Sequence, residues 1–178
     1  AVLSPEKTHS THVQKVNGRV VYEGVATATR QALANGIPVG LGTDSACPFV
    51  THYDMWREVV YFQRHTGVTP EFALHTATLK NAQLLGVAEE TGSIEPGKSA
   101  DLIVLDANPL DDLCALREVE QVYMAGKPVK YKAKHLPKVD AELDSIMNGL
   151  DNDPFVSEWN VAGEKKSLNP FAKRAAKE

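Results

Sequence analysis

Residues 30–45, RQALANGIPVGLGTDS, constrain the fold more than any other stretch of the chain. An amphipathic run stops at Asn35-Gly36, an apolar segment follows at once, and that segment ends on an acid, Asp44. RVVYEGVATATRQALANG predicts a helix whose apolar stripe is Val21, Val25, Ala28, Ala32 and Leu33, with Asn35-Gly36 as its C-terminal stop. Ile37 to Thr43 is then expected as a buried parallel strand flanked by helices, because a short apolar run bounded by turn residues reads that way. Helix, tight turn and buried strand is the rhythm of an α/β protein.

Further along, DMWREVVYFQRHTG predicts a helix with Met55, Val59, Val60 and Phe62 on its inner face and Gly67 at its end. TPEFALHTATLKNAQLLG carries the fullest set of helix signals. Thr69 is placed to cap it, Pro70 takes the first helical position and Glu71 meets the positive end. Ala73, Leu74, Ala77, Leu84 and Leu85 follow the 3.6-residue spacing, and Gly86 closes the run. The pattern then changes. Ala100 to Asp106 predicts a strand after a Pro96-Gly97 turn, and EVEQVYMAGKPVKY predicts two more around Ala125-Gly126-Lys127, so that Ala100 to Tyr131 forms a small antiparallel sheet. Leu143, Ile146, Met147 and Leu150 predict one amphipathic helix, after which 151–178 reads as a weakly structured tail.

Composition narrows the partners. The chain of 178 residues sets 19 Lys+Arg against 23 Asp+Glu, a formal charge of −4, which argues against nucleic acid. No apolar run approaches the roughly 20 residues of a membrane helix, and AVLSPEKTHSTH is too polar for a secretory leader. Two cysteines, Cys47 and Cys114, make no disulfide framework, so the cytoplasm is expected. The first residue is Ala1 rather than Met, which reads as a start made by processing, truncation or cleavage.

Asp44 is the foremost candidate for chemistry. An acid at the C-terminal end of a parallel strand lies where loops gather ligand-binding side chains. A carboxylate there suits metal ligation or acceptance of a proton from water. The competing reading is a turn residue that accepts backbone N–H bonds. Thr43 and Ser45 either orient Asp44 or satisfy local backbone, and Cys47 reads as a small packing residue. GSIEPGKSAD lacks the spacing of a phosphate loop and reads as a turn into a strand.

GLGTDSACPFVTHYD, TPEFALHTATLKNAQLLGV and TGSIEPGKSADLIVLDANPL, in this order, resemble the C-terminal part of the metal-dependent amidohydrolase superfamily, nearest its imidazolonepropionase-like and Xaa-Pro-dipeptidase-like members. The resemblance runs from about Gly18 to Lys130. It implies the last part of a (β/α)8 barrel over residues 1–90, strands of a small composite β-sandwich over 91–131, and a C-terminal helix and tail over 132–178. It implies that Asp44 is a ligand of a divalent metal, zinc, and the general base on its water, and that His52 in FVTHYD faces substrate. Such enzymes hold the metal also through a His-x-His pair, a Lys or Glu, and two further histidines. Here His9, His12, His52, His65, His75 and His135 show no His-x-His spacing. His9 and His12 read as a solvated loop, and His65 and His75 as helix-surface or packing residues.

Two functions follow. One is part of a hydrolase of a carbon–nitrogen bond in an amide, cyclic amide or dipeptide, a small-molecule or dipeptide substrate that needs the missing N-terminal barrel portion. The other is a truncated, non-catalytic chain that acts only by assembly. Either way the chain alone is expected to be inactive, to hold no metal tightly and to form a homo-oligomer, because an incomplete barrel exposes strand edges.

Overall fold

The computed structural model describes residues 11–45, 50–130 and 133–150, so His9, Cys47 and the tail expected at 151–178 lie outside the described residues. Helix α1 (His12–Ala34) starts ahead of the expected Arg19. The mid-helix Gly18 costs about 1 kcal/mol relative to alanine, and the Arg19–Glu23 ion pair spans the next turn. Its packed face is not the expected stripe. Ala26, Arg30 and Leu33 are buried, whereas Val21 and Val25 are each 62% exposed. Two apolar faces share this helix, and periodicity does not say which one meets the body. Leu33 joins the core from the buried face, and Arg30 beside it donates from Nε to the carbonyl of His65.

Residues 37–43 depart from expectation too. They form no sheet ladder among the described residues, and Ile37 is 57% exposed. Val39, Leu41 and Thr43 are half-buried while Pro38, Gly40 and Gly42 are exposed, an alternation like that of a strand. Val39 and Leu41 rest on the core.

That core is built on α2 (Met55–Thr66), whose Trp56, Val59, Val60 and Phe62 are buried with Leu33, Val68, Phe72, Ala73, Leu113 and Met147. Next come α3 (Pro70–His75), a π turn (Thr76–Lys80) and α4 (Asn81–Leu85), a single run ended by Gly86. The Thr69 side chain accepts the Phe72 N–H at 3.3 Å, as expected of the cap. Beyond the π turn the expected inner face fails. Leu84 and Leu85 are exposed and Ala82 is buried instead. One extra residue in a helix turns everything after it by about 100°, so 3.6-residue counting loses phase there.

The loop after α4 is pressed against this run. A Cβ on Gly92 would meet Ala82 Cβ at 2.7 Å and Leu79 Cα at 3.0 Å, and its φ is +96°. Strands β1 (Leu102–Leu105), β2 (Val119–Met124) and β3 (Lys127–Pro128) make one antiparallel three-stranded sheet in the order β1-β2-β3. β1 is shorter than expected and carries a register break between Val104 and Leu105. The turn at Ala125-Gly126 has positive φ at both residues, 48° and 76°, the twist that suits a tight hairpin. Asp101 supports it, accepting the Ala125 N–H at 2.8 Å. That bond, with one to Ser99, holds the Asp101 carboxyl below the usual range.

Helix α5 (Pro137–Leu150) returns onto α2. Leu143 and Met147 are buried, and Arg57 Nη2 reaches Asp144 Oδ1 at 2.7 Å. Arg117, on a short 3-10 turn (Leu113–Arg117), meets the other Asp144 oxygen at 3.1 Å. Tyr53 ties the start of the helix: its hydroxyl donates to Asp140 at 2.9 Å and accepts the Leu136 N–H at 3.0 Å. Among the described residues no helix is long and apolar enough to cross a membrane.

Candidate functional site

Asp44 ends the 37–43 segment in an unusual backbone conformation. Its φ is +49°, in the left-handed region, and its side chain is exposed. L-residues cost roughly 1–2 kcal/mol there, least for Asp and Asn. Thr43 beside it is half-buried and Ser45 exposed.

What holds this segment is a side chain. Asn81 Oδ1 accepts the Leu41 N–H at 2.9 Å, and Asn81 Nδ2 donates to the Leu41 carbonyl at 2.9 Å. Nothing in the hydrophobic pattern announces Asn81. A poor helix former inside an apolar helix was the one available signal. The approach is close: a Cβ on Gly40 would sit 2.8 Å from Asn81 Oδ1 and 3.0 Å from Leu84 Cδ1.

On the far side of the loop, Asp54 is a buried hub that sequence reading missed. It accepts from Thr51 Oγ1 at 2.6 Å and from the Trp56 indole at 3.0 Å, and pairs with Arg57 Nε at 3.3 Å. His52 is exposed, its ring edge-on to Tyr53 with centroids 5.4 Å apart. His65 lies between Tyr22 and Tyr61, at 5.1 and 5.9 Å, as an aromatic packing residue. His75 is half-buried on α3, and His12 is an exposed first residue of α1 rather than part of a loop. His135 pairs with Asp140 at 3.2 Å. Among the described residues no three His, Cys, Asp or Glu side chains come together as a metal site. Asp44 alone does not make one, so the described residues do not fit a catalytic metal by themselves.

Helix α1, residues 39–42, α2 and α5 line an open, mainly apolar cleft of about 740 Å³, with Val21, Val25 and Ile146 on its walls. Glu58 also lines it, and burial pushes that carboxyl up. Asp144 shows the opposite balance. Burial works to raise its carboxyl, but the Arg57 hydrogen bond and the charges of Arg57 and Arg117 outweigh it and hold it low. A carboxyl depressed in the folded state stabilises above its unfolded pKa, about 3.9, and that stabilisation is lost as pH falls through the folded value. The urea midpoint is therefore expected to hold from neutral pH down to about pH 5 and to fall below that, and Asp144→Asn to flatten part of that fall. A midpoint equally pH-dependent in the variant would contradict it.

Comparison with known proteins completes the picture. The model of the Amidohydrolase family matches residues 12–129. The imidazolonepropionase of Thermoplasma acidophilum is 37% identical over 95 residues, 53% of this chain and 23% of that protein. A prolidase-like protein of Bifidobacterium longum, known by its crystal structure, is 44% identical with a TM-score of 0.77, over 82% of this chain and 36% of that one. The ochratoxinase of A. niger is 27% identical with a TM-score of 0.56, over 66% and 27%. The chain thus spans 23% to 36% of the length of these three proteins. With the family match running from the first residue of α1 through the last strand of the sheet, this chain belongs to the amidohydrolase family.

Proposed function

We propose that this chain forms the closing part of a metal-dependent amidohydrolase that cleaves a carbon–nitrogen bond, with an Xaa-Pro dipeptide as the substrate class. The observation that carries the reading is the 44% identity, over 82% of the chain, to the prolidase-like protein of Bifidobacterium longum. The exposed, left-handed placement of Asp44 at the end of its segment supports it. Backbone strain of this kind concentrates at functional sites.

In this reading Asp44 is the proton carrier. Its carboxylate takes a proton from the water whose oxygen bonds to the scissile carbonyl carbon. It then gives that proton to the leaving nitrogen as the C–N bond breaks. Asp44 would also be one ligand of a divalent metal, zinc, which polarises carbonyls and acidifies water when bound. The other ligands would come from outside the described residues, since three protein ligands are normal for catalytic zinc. His52 faces the substrate from the same loop. The alternative, a non-catalytic chain that works by assembly, is favoured by the lack of three potential ligands among the described residues.

The two are separated by assaying Met-Pro hydrolysis and zinc content on this chain alone and on the full polypeptide that carries the segment. The expected result is stoichiometric zinc and dipeptidase activity in the full polypeptide only, with the chain alone metal-poor and oligomeric by size-exclusion chromatography. A full polypeptide with neither zinc nor activity toward dipeptides or other amides would favour the assembly role. A monomeric short chain with stoichiometric zinc and activity would show that the ligand count is wrong.

A further inference from the structure

Residues 37–43 alternate like a strand, and at Leu41 a side chain takes up the backbone polar groups. The N–H and C=O of one strand residue point to the same edge. Asn81 meets both there, each at 2.9 Å. Its Nδ2 also lies 3.5 Å from the Ala77 carbonyl inside the π turn, which anchors the amide to its own helix. Two neighbouring features suit the contact. The π turn immediately before Asn81 sets the direction in which α4 presents that side chain. Gly40 leaves the space: a Cβ there would fall 2.8 Å from Asn81 Oδ1, inside any real contact.

We propose that Asn81 is a positioning residue for Asp44: its amide clamps the Leu41 backbone and fixes the register and direction in which the chain delivers the Asp44 carboxylate. The inference rests on the reading of Asp44 as the proton carrier. Leu41 is three residues from Asp44, and a segment free to slide or pivot at Leu41 carries the carboxylate with it. Displacements of about 1 Å at a reacting group cost on the order of 10²-fold in rate. Asn81 itself touches neither water nor substrate in this scheme.

The test uses the full polypeptide carrying this segment, with Met-Pro as substrate and Zn(II) in excess. Asn81→Ala is expected to lower kcat by about 10–10²-fold with KM within about threefold, after correction for the folded fraction. In the same variant the protection factor of the Leu41 amide, read by hydrogen exchange, falls more than about tenfold while the Val60 amide in α2 keeps its protection. Asn81→Asp supplies the conservative rescue. Its protonated carboxyl both accepts from the Leu41 N–H and donates to the Leu41 carbonyl, whereas the carboxylate repels that carbonyl. Leu41 protection in Asn81→Asp should therefore rise as pH falls, unlike in Asn81→Ala.

Each contrary result is decisive. Unchanged kcat with a faster-exchanging Leu41 makes the clamp structural only and overturns the positioning role. Lowered kcat with unchanged Leu41 protection overturns the clamp. Simultaneous loss of Val60 protection shows a general folding defect, and the Asn81→Asp pH series then decides between clamp and no clamp. Asp44→Asn, run in parallel, keeps the readings apart: full turnover in that variant overturns the role of Asp44 itself, whatever Asn81 does.

Discussion

In the full polypeptide carrying this segment, Asp44→Asn is expected to slow Xaa-Pro hydrolysis by about 10²–10⁴-fold, the range for removal of a general base. The substitution is unusually clean here. Asp44 sits at φ +49°, and asparagine tolerates the left-handed region about as well as aspartate. The backbone at this position is therefore kept while charge and basicity are removed, and the loss reads on chemistry rather than on folding. Asp44→Val, β-branched and strained at positive φ, should lose activity and also disturb the loop. The measurement is kcat against pH with metal in excess. Near-normal turnover in Asp44→Asn would remove Asp44 from the mechanism.

The second large effect concerns stability. Trp56→Ala is expected to cost about 3–5 kcal/mol, the usual range for truncating a buried aromatic. Trp56 is 7% exposed and joins three parts of the molecule. Its indole N–H is bonded to Asp54 at 3.0 Å, its ring lies under the Arg57 guanidinium at 4.4 Å, and Arg117 of the 3-10 turn stands 5.5 Å from its centroid. Removing the ring opens a cavity and takes a partner from buried Asp54, beside the arginines that hold Asp144 of α5. Domains have only about 5–15 kcal/mol in total, so the variant should sit near the edge of folding. Urea unfolding followed by far-UV circular dichroism checks it. A shift under about 1 kcal/mol, the scale of an exposed helix cap, would show that the ring carries little of the core.

How much of this was legible in the sequence depends on how far each feature reaches. Thr69, Pro70 and Gly86 bound their helical run as expected because caps are local chemistry, settled within a few residues. The hairpin at Ala125-Gly126 was legible for the same reason. Periodicity did less well. It found α1 and mistook its buried face, because Val21 and Val25 are as apolar as Ala26 and Leu33, and the faces are told apart by distant contacts such as Leu33 in the core and Arg30 on the His65 carbonyl. It found the run from Pro70 and lost phase at the π turn, where an inserted residue leaves no compositional mark. Residues 37–43 have the apolar content of a buried strand, but a strand is defined by its neighbours, and none is among the described residues. Contacts between distant positions, such as Asn81 with Leu41 or Arg57 with Asp144, were not legible at all. For Asp44 the sequence supplied the residue and its place at a segment's end; the positive φ came only with the coordinates.

The π turn has a consequence for how such a chain can vary through descent. Thr76–Lys80 hold one residue more than an uninterrupted α-helix needs, and that residue sets where Asn81 and Ala82 point. Deleting a single residue there would make a smoother helix and a better local energy, yet would swing everything after it by about 100°. Asn81 would leave Leu41, and Ala82 would leave the close contact that accepts Gly92. Such a deletion would therefore require the 37–43 segment and the loop at Gly92 to change with it. The length of this helix is thus tied, through contacts, to the two distant glycines, Gly40 and Gly92, that make room for it.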